Sequence, residues 1–231
     1  MSDHDLPPPL TMDGSDMGSR FVSLMQGLSD LVSKGVAKPG QFILTPDVEL
    51  RLDNVGGFEG VITYWLKTRR YSVEGQTQCV GMLNPADRAW AGSTYGDCSV
   101  CQYNANSACN WRHNYFILIT KGLPEGAQDP GVVIVSLEGA SGGPASREIN
   151  RKIMDMGGYP FRALFRFTSL MTQRKSATGS YAKWVAEAIG EAPQDIQTVA
   201  RLEYKRGVES GTLLLPAGVM ATDESGESTP F

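Results

Sequence analysis

A mainly β chain with minor α is what this sequence predicts, and three observations carry that expectation. Six short runs rich in β-branched and aromatic residues lie between Gln41 and Thr172: QFILT, GVITYWLK, TQCVGML, NYFILITK, VVIVSL and FRALFRFTSL. Gly, Pro, Asp and Asn punctuate the gaps between them. One helical stretch comes late, Ala145–Met156, with Ile149, Ile153 and Met156 at helical spacing and Gly157-Gly158 to end it. Strands with a single late helix are the inventory of a small β-barrel with a helical plug, and the OB-fold is the commonest such barrel that binds oligonucleotides. More strands precede the helix here than the usual OB order allows. The expected form is therefore an OB-fold-like small β-barrel with an inserted loop and short helices on its flanks; a β-sandwich is the alternative.

Taken in order, residues 1–19 hold Pro7-Pro8-Pro9, four Asp and little apolar material, which predicts a disordered N-terminal segment. Phe21, Leu24, Met25, Leu28 and Leu31 recur at i, i+3, i+4, i+7, which predicts a short amphipathic helix over 20–34. The six β runs and the late helix follow. QRKSATGSY reads as a loop, Tyr181–Ile189 as a short helix, and Asp195–Arg206 as another. From residue 207 the chain becomes Gly, Ser, Glu and Thr without hydrophobic period. The organisation expected is one domain over 20–206, between disordered segments at 1–19 and 207–231.

The chain has 231 residues, long enough to bury a core without disulfides. No apolar run approaches the length of a membrane-spanning helix, and the acidic start MSDHDLPPPL lacks a secretory h-region, so no membrane partner is expected. The formal net charge is -4, an average that hides an asymmetry. Residues 61–183 carry 14 Lys and Arg against 8 Asp and Glu, whereas the two flanks carry 7 against 17. A basic centre between acidic ends is suited to meet a polyanion.

The segment Asp97–His113 reads DCSVCQYNANSACNWRH. A C-x2-C turn such as Cys98–Cys101 lets two thiolates bind zinc from one knuckle, and Cys109 follows as a third ligand. The fourth is Cys79, upstream in an expected strand, or His113. With no export signal, free thiols or metal ligands are favoured over a disulfide framework. Two histidines in the whole chain, and no acid pair beside the cysteines, make such a zinc structural rather than catalytic.

Aromatic and basic residues interleave around this cluster. In a strand, Trp65, Lys67 and Arg69 share one face, and Arg70 follows them. Trp90, Tyr95, Trp111 and Arg112 surround the cysteine loop. Binding of a single nucleic-acid strand needs cations that follow phosphates and flat rings on which bases stack. These eight residues are the expected DNA-binding set. Tyr64, Phe116, and either Phe165 or Phe167 are assigned instead to the core.

The chain ends DESGESTPF, an acidic run (Asp223, Glu224, Glu227) tipped by Pro230 and Phe231. An apolar ring and a carboxylate at the end of an acidic tail suit a basic pocket on a partner. This end resembles the tails of bacterial single-stranded DNA-binding proteins, which are acidic and finish in Pro-Phe, and those of tailed-phage single-stranded DNA-binding proteins, which finish in an acidic run and Phe. The cysteine cluster in an OB-like core is similar to that of zinc-containing helix-destabilising phage proteins, although the ligand order departs from theirs. NYFILITKGL, GVVIVSLEGAS and SATGSYAKWV resemble phage single-strand binding proteins more generally. The resemblance implies a protein that coats unpaired DNA in replication or recombination and recruits partner enzymes through its tail. It also implies a cytoplasmic location, in a bacterial host if phage-encoded, and leaves a homo-oligomer open.

No G-x-S-x-G, Walker A, H-E-x-x-H or G-x-G-x-x-G motif occurs, so no enzyme is expected. GASGGP at 139–144 lacks the Walker lysine and reads as a turn. The competing expectation is a non-enzymatic, zinc-stapled structural or interaction protein, such as a virion component, without DNA affinity. A duplex-reading zinc factor would need a longer recognition helix than Ala145–Met156.

Overall fold

A computed structural model describes residues 20–209, apart from 46–47, 53–54, 74–75, 84–88, 107 and 174–178. The expected N-terminal segment 1–19 and the tail residues Asp223, Glu224, Glu227, Pro230 and Phe231 lie outside the described residues. Among the described residues, twelve strands and four α-helices follow in chain order. They are β1 (Phe21–Leu24), α1 (Asp30–Ser33), β2 (Phe42–Leu44), β3 (Val48–Leu52), β4 (Val55–Gly56), β5 (Phe58–Val73), β6 (Gln76–Leu83), β7 (Trp90–Gly92) and β8 (Gly96–Asp97). Next come α2 (Gln102–Ala105), β9 (Cys109–Lys121), β10 (Val132–Glu138), α3 (Gly139–Asp155), β11 (Ala163–Gln173), β12 (Ser180–Glu191) and α4 (Gln194–Glu209). The chain is mainly β, as its residue pattern predicts, and no described helix is long and apolar enough to cross a membrane.

Strand β5 organises the sheet. One edge pairs antiparallel with β9, from Glu59↔Lys121 to Tyr71↔Cys109. Its other edge is shared: residues 58–61 pair with β11 and residues 68–73 with β6. The sheet divides there. β9 continues through β10 to β1, β2, β3 and β4, with β1 parallel to β10, while β6 continues through β7 to β8. Register shifts at Glu59/Gly60 and Ile62/Tyr64 mark where β5 bends. Gly60 sits so close to β9 that a Cβ there would lie 2.5 Å from Ile117 Cγ2, so only glycine fits the crossing.

The β11–β12 hairpin and α3 cover the main core. Phe42, Phe58, Phe165 and Phe167 are fully buried, with Phe58 and Phe167 stacked at 4.7 Å and Trp184 tilted over Phe42 at 4.8 Å. Each buried ring contributes about 1.5–3 kcal/mol by burial, and each aromatic pair about 0.5–1.5 more. From α3, Ala145, Ile149 and Ile153 face inward. Helix α4 makes a second, smaller core on the other side, where Ala200 packs with Val61 and Phe161.

Four expectations need correction. The closed barrel does not form: the hydrogen-bonded order ends at β4 and β8 and does not return on itself among the described residues. The gap between the first strands and β12 is bridged instead by the Gln26 side chain. Its Nε2 donates to the Ala182 carbonyl and its Oε1 accepts from the Ala182 N–H, both at 3.0 Å, as a strand would. The amphipathic helix over 20–34 is strand β1 at its start. Val22 and Leu24 are buried and Ser23 is exposed, a period of two, and only Asp30–Ser33 is helical. Tyr181–Ile189 lies in β12, where Ala182, Trp184 and Ala186 point inward and β11 pairs along its whole length. The GASGGP stretch is no turn but the first turns of α3. Helix α4 covers the expected Asp195–Arg206, and the six β runs lie in β2, β5, β6, β9, β10 and β11.

Candidate nucleic-acid interface

Alternation along β5 places Trp65, Lys67, Arg69 and Tyr71 on one face. The β9 register sets Tyr115, His113, Trp111 and Cys109 beside them in that order. Trp90 joins from β7, where it is the partner of residue 83 in β6. The inner end of this face is closed by α3. Tyr115 is fully buried, and its hydroxyl meets Ser146 Oγ and Asn150 Oδ1, both at 2.9 Å. Burial pushes the Tyr115 hydroxyl pKa up to about 12, so it stays protonated.

Outward from Tyr115 the rings become accessible. His113 lies nearly parallel to Trp65, their centroids 6.2 Å apart and their planes 13° from coplanar. Lys67 Nζ stands 3.6 Å from the Trp111 ring centroid, and the Arg69 guanidinium 4.1 Å from that ring and 5.1 Å from Trp90. Trp90 meets Trp111 edge-on at 5.1 Å. Trp65 and Trp111 keep 37% and 39% of their surface, enough to offer a ring to a ligand. Burial, and then the Lys67 cation, lower the His113 pKa below its ordinary value. The imidazole is thus neutral at pH 7 and presents a flat, uncharged ring beside Trp65.

Five of the eight expected DNA-binding residues converge here: Trp65, Lys67, Arg69, Trp90 and Trp111. Tyr95 lies further along, 42% exposed, packed on Tyr103 and Tyr71 at the rim of the cysteine cavity. Arg70 and Arg112 are placed elsewhere. Strand alternation turns both to the opposite face, where each pairs with Glu138 and Arg112 Nε lies 3.0 Å from Oε2. Their side chains are 13% and 9% exposed, so these two cations hold the fold and present no surface to phosphates. Glu138 precedes α3 without a side-chain capping bond; its carboxylate is occupied by the two arginines.

All four cysteines are free thiols and line one small cavity with Arg69, Tyr71, Gly81, Gly92, Tyr95 and Tyr103. Cys79 comes from β6 and Cys109 from the start of β9, and both are partners of Tyr71 on its two sides. Cys98 is carried over the sheet by its N–H bond to the Trp90 carbonyl, 2.8 Å, and Cys101 precedes α2. Burial raises the Cys98 and Cys109 pKa values, and their sulfur neighbours add to it. Among the described residues no three His, Cys, Asp or Glu side chains are gathered closely enough to hold a metal ion as they stand. His113 does not line the cavity; its Nδ1 faces Asn150 Nδ2 at 3.4 Å.

Sequence reasoning passed over three contributors. Asn104 ties the cysteine loop to the face, its Oδ1 accepting from Arg69 and its Nδ2 donating to the Cys98 carbonyl at 2.8 Å. Gly81 and Gly92, a cross-strand pair, make room for the sulfurs. Nothing local in the sequence marks these roles: the glycines depend on the β6–β7 register, and Asn104 on how the cysteine loop folds over Arg69. Compared with known proteins, the chain matches no family model, no curated protein and no solved structure.

Proposed function

We propose that this protein binds single-stranded DNA on the β5–β9 face, without catalysing a reaction. The observation that carries the reading is the row Trp65, Lys67, Trp111, Arg69, Trp90, in which half-exposed rings alternate with cations. Each ring offers a surface to one base, at about 1–3 kcal/mol per base, and each cation a charge to one phosphate. Bases are free to stack only when unpaired, so the row selects single strands over duplex. The open β5-centred sheet with α3 against its core is read as an OB-like arrangement without ladder closure. Binding of this kind keeps a strand from re-pairing during replication or recombination.

The acidic tail Asp223–Phe231 completes the proposal. Its carboxylates compete for the same cations when DNA is absent, and its Pro-Phe end meets replication or recombination enzymes once DNA displaces it. Deleting Asp223–Phe231 then tightens DNA binding; weaker binding contradicts this role.

Tryptophan emission tests the face directly. Three of the four tryptophans lie on it, and the fourth, Trp184, is buried in the core. Titration with oligo-dT is expected to quench most of the emission, and Trp184→Phe leaves that quenching in place. Quenching that disappears in Trp184→Phe, or none at all, places any binding elsewhere.

A further inference from the structure

We propose that the cavity between β6, β8 and β9 is a zinc site whose four ligands are the thiolates of Cys79, Cys98, Cys101 and Cys109. The void is about 10 Å³, room for one atom-sized guest and too small for an organic ligand. Its lining supplies sulfur from all four cysteines and no carboxylate or imidazole. Four thiolates are the donor set of structural zinc.

An independent observation is the glycine pair beneath the sulfurs. A Cβ on Gly92 would stand 2.7 Å from Cys79 Sγ and 3.7 Å from Cys98 Sγ. A Cβ on Gly81 would stand 2.9 Å from Cys98 Sγ. Neither glycine has positive φ, so backbone conformation does not demand it; the sulfurs do. Two cysteines from different elements thus share one cradle, at a cost in strand propensity at both positions.

Zn–S bonds of about 2.3 Å put the sulfurs of a tetrahedron about 3.8 Å apart, which is ordinary contact distance between sulfurs. Neutral thiols have no common partner to draw them together. A cation gives them one, and a cysteine sulfur moves by rotation about a single torsion, χ1. Binding releases the four thiol protons to solvent and leaves the site at -2, faced by the Arg69 cation in the cavity wall. The fourth ligand is Cys79 rather than His113, which is held on Trp65 and Asn150 away from the void. The consequence rests on the function proposed above. Zinc pins the loop bearing Cys98 and Asn104 to β6, and Asn104 holds Arg69 under Trp90 and Trp111.

The test is metal content of the full chain, produced with zinc and reductant and dialysed against a weak chelator, with no DNA present. One zinc per chain is expected, released by a mercurial thiol reagent. His113→Ala is expected to keep it and Cys79→Ser to lose it. Absence of zinc, iron in its place, or zinc kept by Cys79→Ser and lost by His113→Ala overturns the assignment. Should Cys79→Ser fail to fold, Co²⁺ exchanged into the unaltered chain decides. Intense tetrahedral tetrathiolate bands support the site, and a weak octahedral or mixed nitrogen–sulfur spectrum overturns it. Oligo-dT affinity is then read with and without zinc, where a loss of at least tenfold on removal is expected. Zinc bound by a chain with no DNA affinity sinks the proposed function and leaves this site standing; unchanged affinity overturns the coupling alone.

Discussion

Replacing Trp111 by Ala removes the ring at the centre of the proposed interface. Lys67 and Arg69 both rest on it, Trp90 meets its edge, and 39% of its surface is accessible. Loss of one stacked base costs about 1–3 kcal/mol, or about 5- to 150-fold in affinity for oligo-dT. Loss of two cation–ring contacts costs about 1–2 kcal/mol of stability, a fall in Tm of about 2–8 °C, so the variant stays folded at 25 °C. Trp111→Phe keeps a flat ring and recovers most of the affinity. The control is the next residue. Arg112→Ala removes one of the two arginines on Glu138, which keeps Arg70, costing about 1.5–3 kcal/mol of stability, and leaves the affinity of the folded protein within about twofold. Fluorescence anisotropy gives the affinities and thermal unfolding the stabilities. Unchanged affinity in Trp111→Ala, or an equal loss in both variants, refutes the assignment of the binding face.

Three further outcomes follow from the same geometry. Lys67→Ala and Arg69→Ala each flatten the slope of log affinity against log salt by about 0.7, the share of one phosphate on a single strand, measured by titration across salt concentrations. Gln26→Met leaves the Ala182 N–H and carbonyl without the partner they share, at a fully buried residue, and lowers stability by about 2–4 kcal/mol in urea unfolding. His113 has a folded pKa below its unfolded value of about 6.5. Its contribution is therefore complete above about pH 6.5 and is lost as pH falls toward the folded value, because the unfolded chain takes the proton first. The urea midpoint of His113→Gln consequently drops less than that of the unaltered chain between pH 7.5 and 5.5.

Much of the β content was legible because it is local. β-branched runs bounded by Gly, Pro and Asn became strands, and Ile149 and Ile153 at helical spacing became the buried face of α3. The misread segments are those where two periods coexist. In YAKWVAEAI, Ala182, Trp184 and Ala186 satisfy period two while alanine and glutamate favour a helix; pairing with β11 decides for the strand. Phe21–Leu24 is settled in the same way by β2, the next strand, and by β10, which lies far along the chain. Alternation also separates Arg69 from Arg70: the rule that groups Trp65, Lys67 and Arg69 extends to Tyr71 and turns Arg70 to Glu138. The fourth cysteine could not be read locally. Cys79 reaches the cavity through the β5–β6 hairpin register opposite Tyr71, and Cys109 through the long-range β5–β9 register on the other side of the same residue; neither register is marked in the cysteine loop itself.

Anisotropy of a labelled oligo-dT, with a duplex of equal length as competitor and at two salt concentrations, tests the central claim most directly. The account predicts tight binding to the single strand that weakens steeply with salt and that duplex fails to displace. Equal competition by duplex, or no binding at low salt, contradicts it.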